Sequence, residues 1–279
     1  MKYPCDRADI LPSTAALAYE NGTIAPVAYV KGSEAYQWIL ANSDESNAPN
    51  PALVPKVLRT SFAAIKGTMD IELGEQVRNA VITVPDYVQG DLHEPILRGA
   101  EKAGFFLNRD GIVRKLIRGS SAILSAYPPV SGSTILISYN EASLGLQMAN
   151  KGSVYAETTL DELGEHAMAR GSKEHYLDTI KQAIQGWLAG VPEVVPVEGY
   201  LETDIHAVIF SGDASAEAFK DLKMVVGEGF AGGGDTGGWL KDSIEPLYVA
   251  AVGAASKGWI MVDNPVKYKL QGVPSHGEL

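Results

Sequence analysis

The side chains able to do chemistry are few and scattered. The histidines are His93, His166, His175, His206 and His276. No two stand three to five positions apart, the spacing by which one helix or turn turns two imidazoles onto a zinc ion. Each reads as a surface residue, with His206, at the head of a strand, in reach of backbone groups. Cys5 is the single cysteine, which excludes an internal disulfide and a thiolate metal site. Asp91 and Glu94, and Glu162 and Glu165, are carboxylate pairs one helical turn apart, a spacing that serves helix caps and solvated faces. Gly227-Glu228-Gly229-Phe230-Ala231-Gly232 matches the dinucleotide fingerprint letter for letter. That fingerprint needs a strand before it and a helix after it. Here it trails a helix and runs into Gly233-Gly234-Asp235-Thr236-Gly237-Gly238, so it reads as a loop. There is no Walker lysine motif, no Gly-x-Ser-x-Gly elbow and no Ser-x-x-Lys pair, so serine nucleophile chemistry has no local signature.

The elements that would position a site are clearer. The N-terminal region reads as a hairpin, with apolar residues 15–19 and Ile24–Val30 flanking Asn21-Gly22, a dipeptide suited to tight turns. Residues 42–51 form a polar loop. Leu53, Val57, Leu58, Phe62 and Ile65 recur at helical spacing with Gly67 as the stop. A β-branched strand follows over residues 80–85. A helix opened by Asp91 and Glu94 as a capping box then runs to Gly104. A second hairpin spans residues 135–158 with its turn at Asn150-Lys151-Gly152, and a helix covers 172–189. A strand over 207–210 ends at Ser211-Gly212-Asp213 and leads into a helix from Ala214. An apolar helix runs from Ile244 to Trp259. With 279 residues, 46% hydrophobic and 20% charged, the chain has material for about two domains. The balance of 34 acidic against 23 basic side chains, a formal charge of −11, argues against nucleic acid and anionic membrane surfaces as partners. No apolar run reaches the roughly 18 residues of a membrane span. The opening segment has no apolar signal core, so a cytoplasmic location is expected.

The chain also reads as an internal duplication. Gly22 and Gly152 are turn glycines of two similar hairpins. At nearly the same offset, Asn79-Ala80-Val81-Ile82 and His206-Ala207-Val208-Ile209 open two similar strand-to-helix units, which end alike at Gly104-Phe105 and Gly229-Phe230. Two copies of one α/β unit imply a two-lobed protein with a central cleft. The first lobe is expected over residues 1–128, completed by a C-terminal helix at 244–260. The second is expected over 129–243, with 261–279 as a tail.

Several segments resemble the nucleotide-binding domain of Hsp70 chaperones. Asn79-Ala80-Val81-Ile82-Thr83-Val84-Pro85-Asp86-Tyr87 is similar to that family's AVITVPAY-like strand, and the helix ending Ala100-Glu101-Lys102-Ala103-Gly104 follows it in the same order. Ser120-Ser121-Ala122-Ile123-Leu124-Ser125-Ala126-Tyr127 is similar to the PTAAALAY helix. Ala207-Val208-Ile209-Phe210-Ser211-Gly212 stands where the family has its adenosine strand, and residues 245–255 resemble its closing helix. The likeness is collinear over residues 9–258. It implies the duplicated actin/Hsp70-like, ribonuclease-H-type two-lobed α/β fold, here in a short form without a substrate-binding domain.

In that family glycine-rich turns wrap ATP phosphates with backbone N–H groups. The corresponding turns here are Asp9-Ile10-Leu11-Pro12-Ser13-Thr14 and Ser138-Tyr139-Asn140-Glu141-Ala142-Ser143, neither with a glycine. The adenosine turn has become Ser211-Gly212-Asp213-Ala214-Ser215. Proline removes a donor, and side chains obstruct close backbone approach. The expected function is therefore a binding or pseudo-ATPase protein, neither ATPase nor chaperone, with a small molecule, a protein or a second copy of itself as partner and no cofactor or metal. An alternative is a former nucleotide cleft recruited for acid–base chemistry of the isomerase, cyclase or lyase type, and a second is a divergent ATP binder. What the resemblance implies for the cleft is a floor of Asp9, Ser13, Thr14, Asn140, Gly212 and Asp213, with Asp86, Tyr139 and Glu141 as the acid–base candidates.

Overall fold

A strand whose residues are nearly all buried belongs at the centre of a sheet covered on both faces. Ser133–Tyr139 is such a strand, with Ile135, Leu136 and Ile137 fully buried. The computed structural model describes residues 13–18, 23–41, 50, 52–77, 80–86, 88, 90–105, 116–168, 171–194, 205–230 and 239–263. The fold is mixed α/β and divides into two compact units, Tyr127–Val249 and Ser13–Ala126, the latter joined by the chain from Ala250 onward.

In the N-terminal unit β1 (Ser13–Ala18) and β2 (Ile24–Val30) form an antiparallel hairpin, as its sequence suggests, with Thr14 opposite Tyr29. The Asn21-Gly22 turn lies outside the described residues. After α1 (Glu34–Ala41), helix α2 (Val54–Leu73) packs on the hairpin and on α3 (His93–Lys102). α2 does not stop at Gly67. Leu58, Ile65 and Met69 continue one buried face past it, and the helix ends at Gly74 in the left-handed conformation, φ 67°. The expected capping box also gives way. Asp91 sits in a single 3₁₀ turn, Gly90–Leu92, α3 has no side-chain cap, and Glu94 pairs with Arg98 at 3.1 Å. The strand read over 80–85 pairs only as β3 (Thr83–Val84), parallel to the two-residue β4 (Ile117–Arg118). α4 (Gly119–Ser125) packs with α8 (Val249–Asp263) around Ile117, Ala122 and Ala254. Gly253 makes this possible, because a Cβ there would run into the Ala122 carbonyl.

The central unit is built on one five-stranded mixed sheet in the order β7-β6-β5-β8-β9. β5 (Ser133–Tyr139), β6 (Leu144–Asn150) and β7 (Ser153–Leu160) form an antiparallel meander, while β8 (Ile205–Ser211) and β9 (Leu240–Lys241) add on parallel to β5. α5 (Glu165–Met168) and α6 (Lys173–Val194) follow β7, and α7 (Ala216–Phe230) links β8 to β9. Ile135, Ile137 and Tyr139 share one sheet face with Val208 and Phe210. That face packs on Tyr176, Ile180 and Ile184 of α6 and on Phe219, Leu222 and Val226 of α7. The periods of two and of about 3.6 that revealed these elements are the ones that build this core.

Element order repeats between the two halves of the sequence. A hairpin (β1-β2 or β6-β7), a short and a long helix, a strand, a helix, a two-residue parallel strand and a last helix occur in each sequence half. The helix expected from Ile244 opens as a 3₁₀ turn, Pro246–Tyr248, before α8 proper.

Candidate functional site

In open α/β sheets ligands meet the chain beyond the carboxyl ends of parallel strands. Here that region lies past β5 and β8. Gly212 follows β8 at φ 123°, and a Cβ on it would run into the Tyr139 carbonyl, so no other residue fits. The Gly212 N–H reaches the Pro246 carbonyl at 3.3 Å, and the Ala214 N–H reaches the Tyr139 carbonyl at 3.2 Å. Asn140, Glu141, Gly212 and Asp213 are thereby gathered at one sheet end. Thr14 and Asp86 belong to the other unit, as does Ser13 at the head of β1. Asp9 lies outside the described residues.

The turn joining β5 to β6 closes with the Asn140 N–H donating to the Ser143 carbonyl at 3.0 Å. Its outer carbonyls are taken as well: Glu165 N–H donates to Asn140 at 3.0 Å and His166 N–H to Glu141 at 2.8 Å. Gly164 lies so close to the backbone of Ala142 and Ser143 that a Cβ would overlap it. Residues 164–166 are thus laid directly on the turn. The Glu141 carboxylate faces the His166 ring at 3.8 Å, with His166 largely exposed. Glu165 reaches further. Its carboxylate accepts the Ser215 N–H at 2.7 Å and the Ser215 hydroxyl, while the Ser215 Oγ accepts the Ala218 N–H at 3.2 Å. A carboxylate therefore sits at the N-terminus of α7, where the helix dipole favours negative charge.

Two of the three acid–base candidates are committed elsewhere. Tyr139 points into the core, 1% exposed, and its hydroxyl lies 2.8 Å from that of Tyr176. Tyr176 donates to the Leu163 and Gly164 carbonyls at 3.0 and 2.8 Å, so its single proton is used and Tyr139 is the donor between them. Burial first, and then this hydrogen bond, push the Tyr139 hydroxyl well above the ordinary phenol range, and burial raises Tyr176 too. Tyr139 is thus a neutral core hydroxyl and not a cleft-lining base. Asp86 accepts the Ser120 N–H and the Ser120 hydroxyl, both at 3.0 Å, at the first turn of α4. This is a helix-capping geometry.

Beside the sheet end lies an open pocket of about 870 Å³. It follows one face of α7 through Ala216, Lys220, Lys223 and Gly227, and its other wall is Leu240 with residues 245–247. Phe219, Met224, Leu240, Pro246 and Leu247 give it apolar surface. Its charged residues are Asp213, Lys220, Lys223, Glu228 and Glu245. Lys223 is paired with Asp242 at 3.1 Å and Glu228 with Lys181 at 3.1 Å.

The sequence reads Glu165 as half of a cap or solvated-face pair with Glu162, Ser215 as part of the Ser211–Ser215 turn and Tyr176 as part of a helix face, and gives none of the three a place in the site. Ser215 precedes α7 as a cap residue, which is a local signal. The partner of Glu165 carries no local signal, because it stands fifty residues on. Tyr176 falls among the apolar residues of the α6 face, and only its partner reveals the use of its hydroxyl. His206 is exposed, with its ring over Gly132 and its Nδ1 at 3.5 Å from the Ser131 hydroxyl. Among the described residues no group of His, Cys, Asp and Glu is placed to hold a metal ion, and no helix is long and apolar enough to cross a membrane. The chain matches no protein-family model and no curated protein sequence.

Proposed function

We propose that this protein is a degenerate actin/Hsp70-type domain that binds a small organic ligand and does not hydrolyse ATP. The sheet order β7-β6-β5-β8-β9, antiparallel then parallel, is that of a ribonuclease-H-type unit and supports the architectural half of this reading. The repeated element order in the N-terminal half supports the duplication.

The observation that carries the functional half is the carboxylate of Glu165 on Ser215, with residues 164–166 laid over the turn at 140–143. A phosphate chain needs free N–H groups and positive potential at such a turn. It would meet a glycine-free turn and a fixed negative charge instead. The enzyme alternative is weaker, because Tyr139 and Asp86 are engaged in hydrogen bonds that hold the fold. Thermal denaturation with and without millimolar ATP and Mg²⁺, together with phosphate release, tests the reading. No stabilisation and no turnover are expected. Ligand at a hundred times its Kd adds about 2.7 kcal/mol of stability, so an upward shift of several degrees, or measurable turnover, would overturn it.

A further inference from the structure

Asp221 of α7 is the only charged side chain that is buried among the described residues, 6% exposed. Ala218 and Val225, one turn to either side of it on the same face of the helix, belong to the core cluster. Its Oδ2 is closed off from solvent, and among the described residues the Lys173 ammonium is its one partner, at 2.7 Å. Lys173 is the first residue of α6, an end at which the helix dipole disfavours a cation, so its place there answers to the carboxylates of α7. Glu217, one turn before Asp221, lies 3.6 Å from the same ammonium and is largely exposed. The other lysine pairs are built differently. Glu228 opposite Lys181 and Asp242 opposite Lys223 are more than half exposed, and Asp70 opposite Lys66 is a quarter exposed. Water can take over those carboxylates when the lysine charge is lost. Asp221 has no such substitute, and removing one partner of a buried pair is strongly destabilising. Lys173, 48% exposed, is the half of this pair that a reagent can reach.

We propose that Lys173 is an acylation site that works as a charge latch between α6 and α7, with an acyl phosphate or an acyl thioester as donor. The Asp221 carboxylate, ahead of any other cause, holds the Lys173 ammonium above the ordinary lysine range, so the free amine forms most readily when the pair opens. The amine nitrogen then attacks the acyl carbonyl. An N–C bond forms, the C–O or C–S bond breaks, phosphate or thiolate leaves, and the proton lost from nitrogen goes to water. The amide that results carries no charge and cannot close on Asp221 again. Acylation thus leaves a buried carboxylate without its cation and loosens α7 from α6. The opposite face of α7, through Ala216, Lys220, Lys223 and Gly227, is a wall of the pocket, so the latch bears on the ligand site. The latch itself needs no ligand; only its bearing on the pocket rests on the reading of the chain as a ligand-binding protein.

In the full chain Lys173→Gln mimics the acylated side chain, and Lys173→Arg keeps the charge without the acylatable amine. Lys173→Gln should lower the melting temperature by several degrees and quicken hydrogen exchange in the first two turns of α6 and α7, with Lys173→Arg close to the parent. Asp221→Asn added to Lys173→Gln should recover most of the loss, because the stranded carboxylate becomes a neutral amide. Lys181→Gln, opposite the exposed Glu228, is the control and should melt within about a degree of the parent. Treatment of the parent with acetyl phosphate should place an acetyl group on Lys173, read by peptide mapping, and lower its melting temperature more than that of Lys173→Arg. Should Lys173→Gln alone fail to fold, the double variant must still fold. A parent-like melt of Lys173→Gln, no recovery in the double variant, an equal cost for Lys181→Gln, or no acetyl group on Lys173 when other lysines carry one would overturn the assignment. Phosphate release measured on the same sample keeps the two readings apart. ATP turnover with an intact latch response removes the non-hydrolytic reading alone, and no turnover with no latch response removes the latch alone.

Discussion

Glu165 holds Ser215 by both its backbone N–H and its hydroxyl, tying the segment after β7 to the first turn of α7. Asp86 holds Ser120 in the same way at the start of α4. Replacing Glu165 by Ala should cost about 1–2 kcal/mol, the scale of a lost helix cap, read from urea melts. Hydrogen exchange should quicken at the first amides of α7. Unchanged stability would show that solvent can satisfy Ser215 equally well.

The tyrosine pair gives an asymmetric expectation. Tyr139→Phe removes one donor and leaves Tyr176 on its two carbonyls, a loss of about 1 kcal/mol. Tyr176→Phe strands the Tyr139 hydroxyl and both carbonyls together, so it should cost two to three times as much, about 2–3 kcal/mol. Equal effects in chemical denaturation would contradict the donor order assigned here.

Gly253→Ala is expected to be severe. The added methyl meets the Ala122 carbonyl, a backbone atom that a rotamer change cannot move aside. Overpacking of this kind costs about 1–3 kcal/mol or more. Gly227→Ala, with open space around its Cβ position, is the control and should be neutral or mildly stabilising. Circular-dichroism melts of the two variants make the comparison.

Stability in acid should depend on Asp70. Its hydrogen bond from Lys66 at 2.6 Å, then that from the Val77 N–H at 2.7 Å, hold its carboxyl below the ordinary value of 3.8. A carboxylate depressed in the folded state contributes stability that is present above the unfolded value and lost as pH falls through the folded one. Asp70→Asn should therefore melt lower than the parent at neutral pH, with the gap closing as pH drops below 3.8. A gap that stays constant across that window would rule this out.

How far the sequence was legible varies with the range of the interaction. Four strands of the central sheet were legible to within two residues at each end, because the apolar runs of β5, β6 and β8 are local signals and Asn150-Lys151-Gly152 marks the turn where Lys151 and Gly152 take positive φ, while the two-residue β9 carries no such signal. α2 was cut short at Gly67, because a mid-helix glycine looks like a stop when its buried flanks are not yet known. The strand at 80–85 was read too long, since its extent is set by β4, a two-residue partner that propensity does not mark. The same holds for the site. Gly212 was legible as the end of a strand because that turn is encoded locally, while Asn140 entered only through the family likeness. The true environments of Tyr139, Asp86 and Glu165 depend on Tyr176, Ser120 and Ser215, thirty-four to fifty positions away.

The meeting of Ala122 with Gly253 bears on the order in which the protein is made. The N-terminal unit takes its closing helix from the segment that follows the central unit in the sequence, so Ile117 and Ala122 emerge from the ribosome long before Ala254 can cover them. The described part of the central unit, Tyr127–Val249, is continuous in sequence and has its hydrophobic cluster complete by Val249. The second-made unit is thus the first able to fold, and the first-made waits with an apolar surface open, a natural point for chaperone dependence during synthesis.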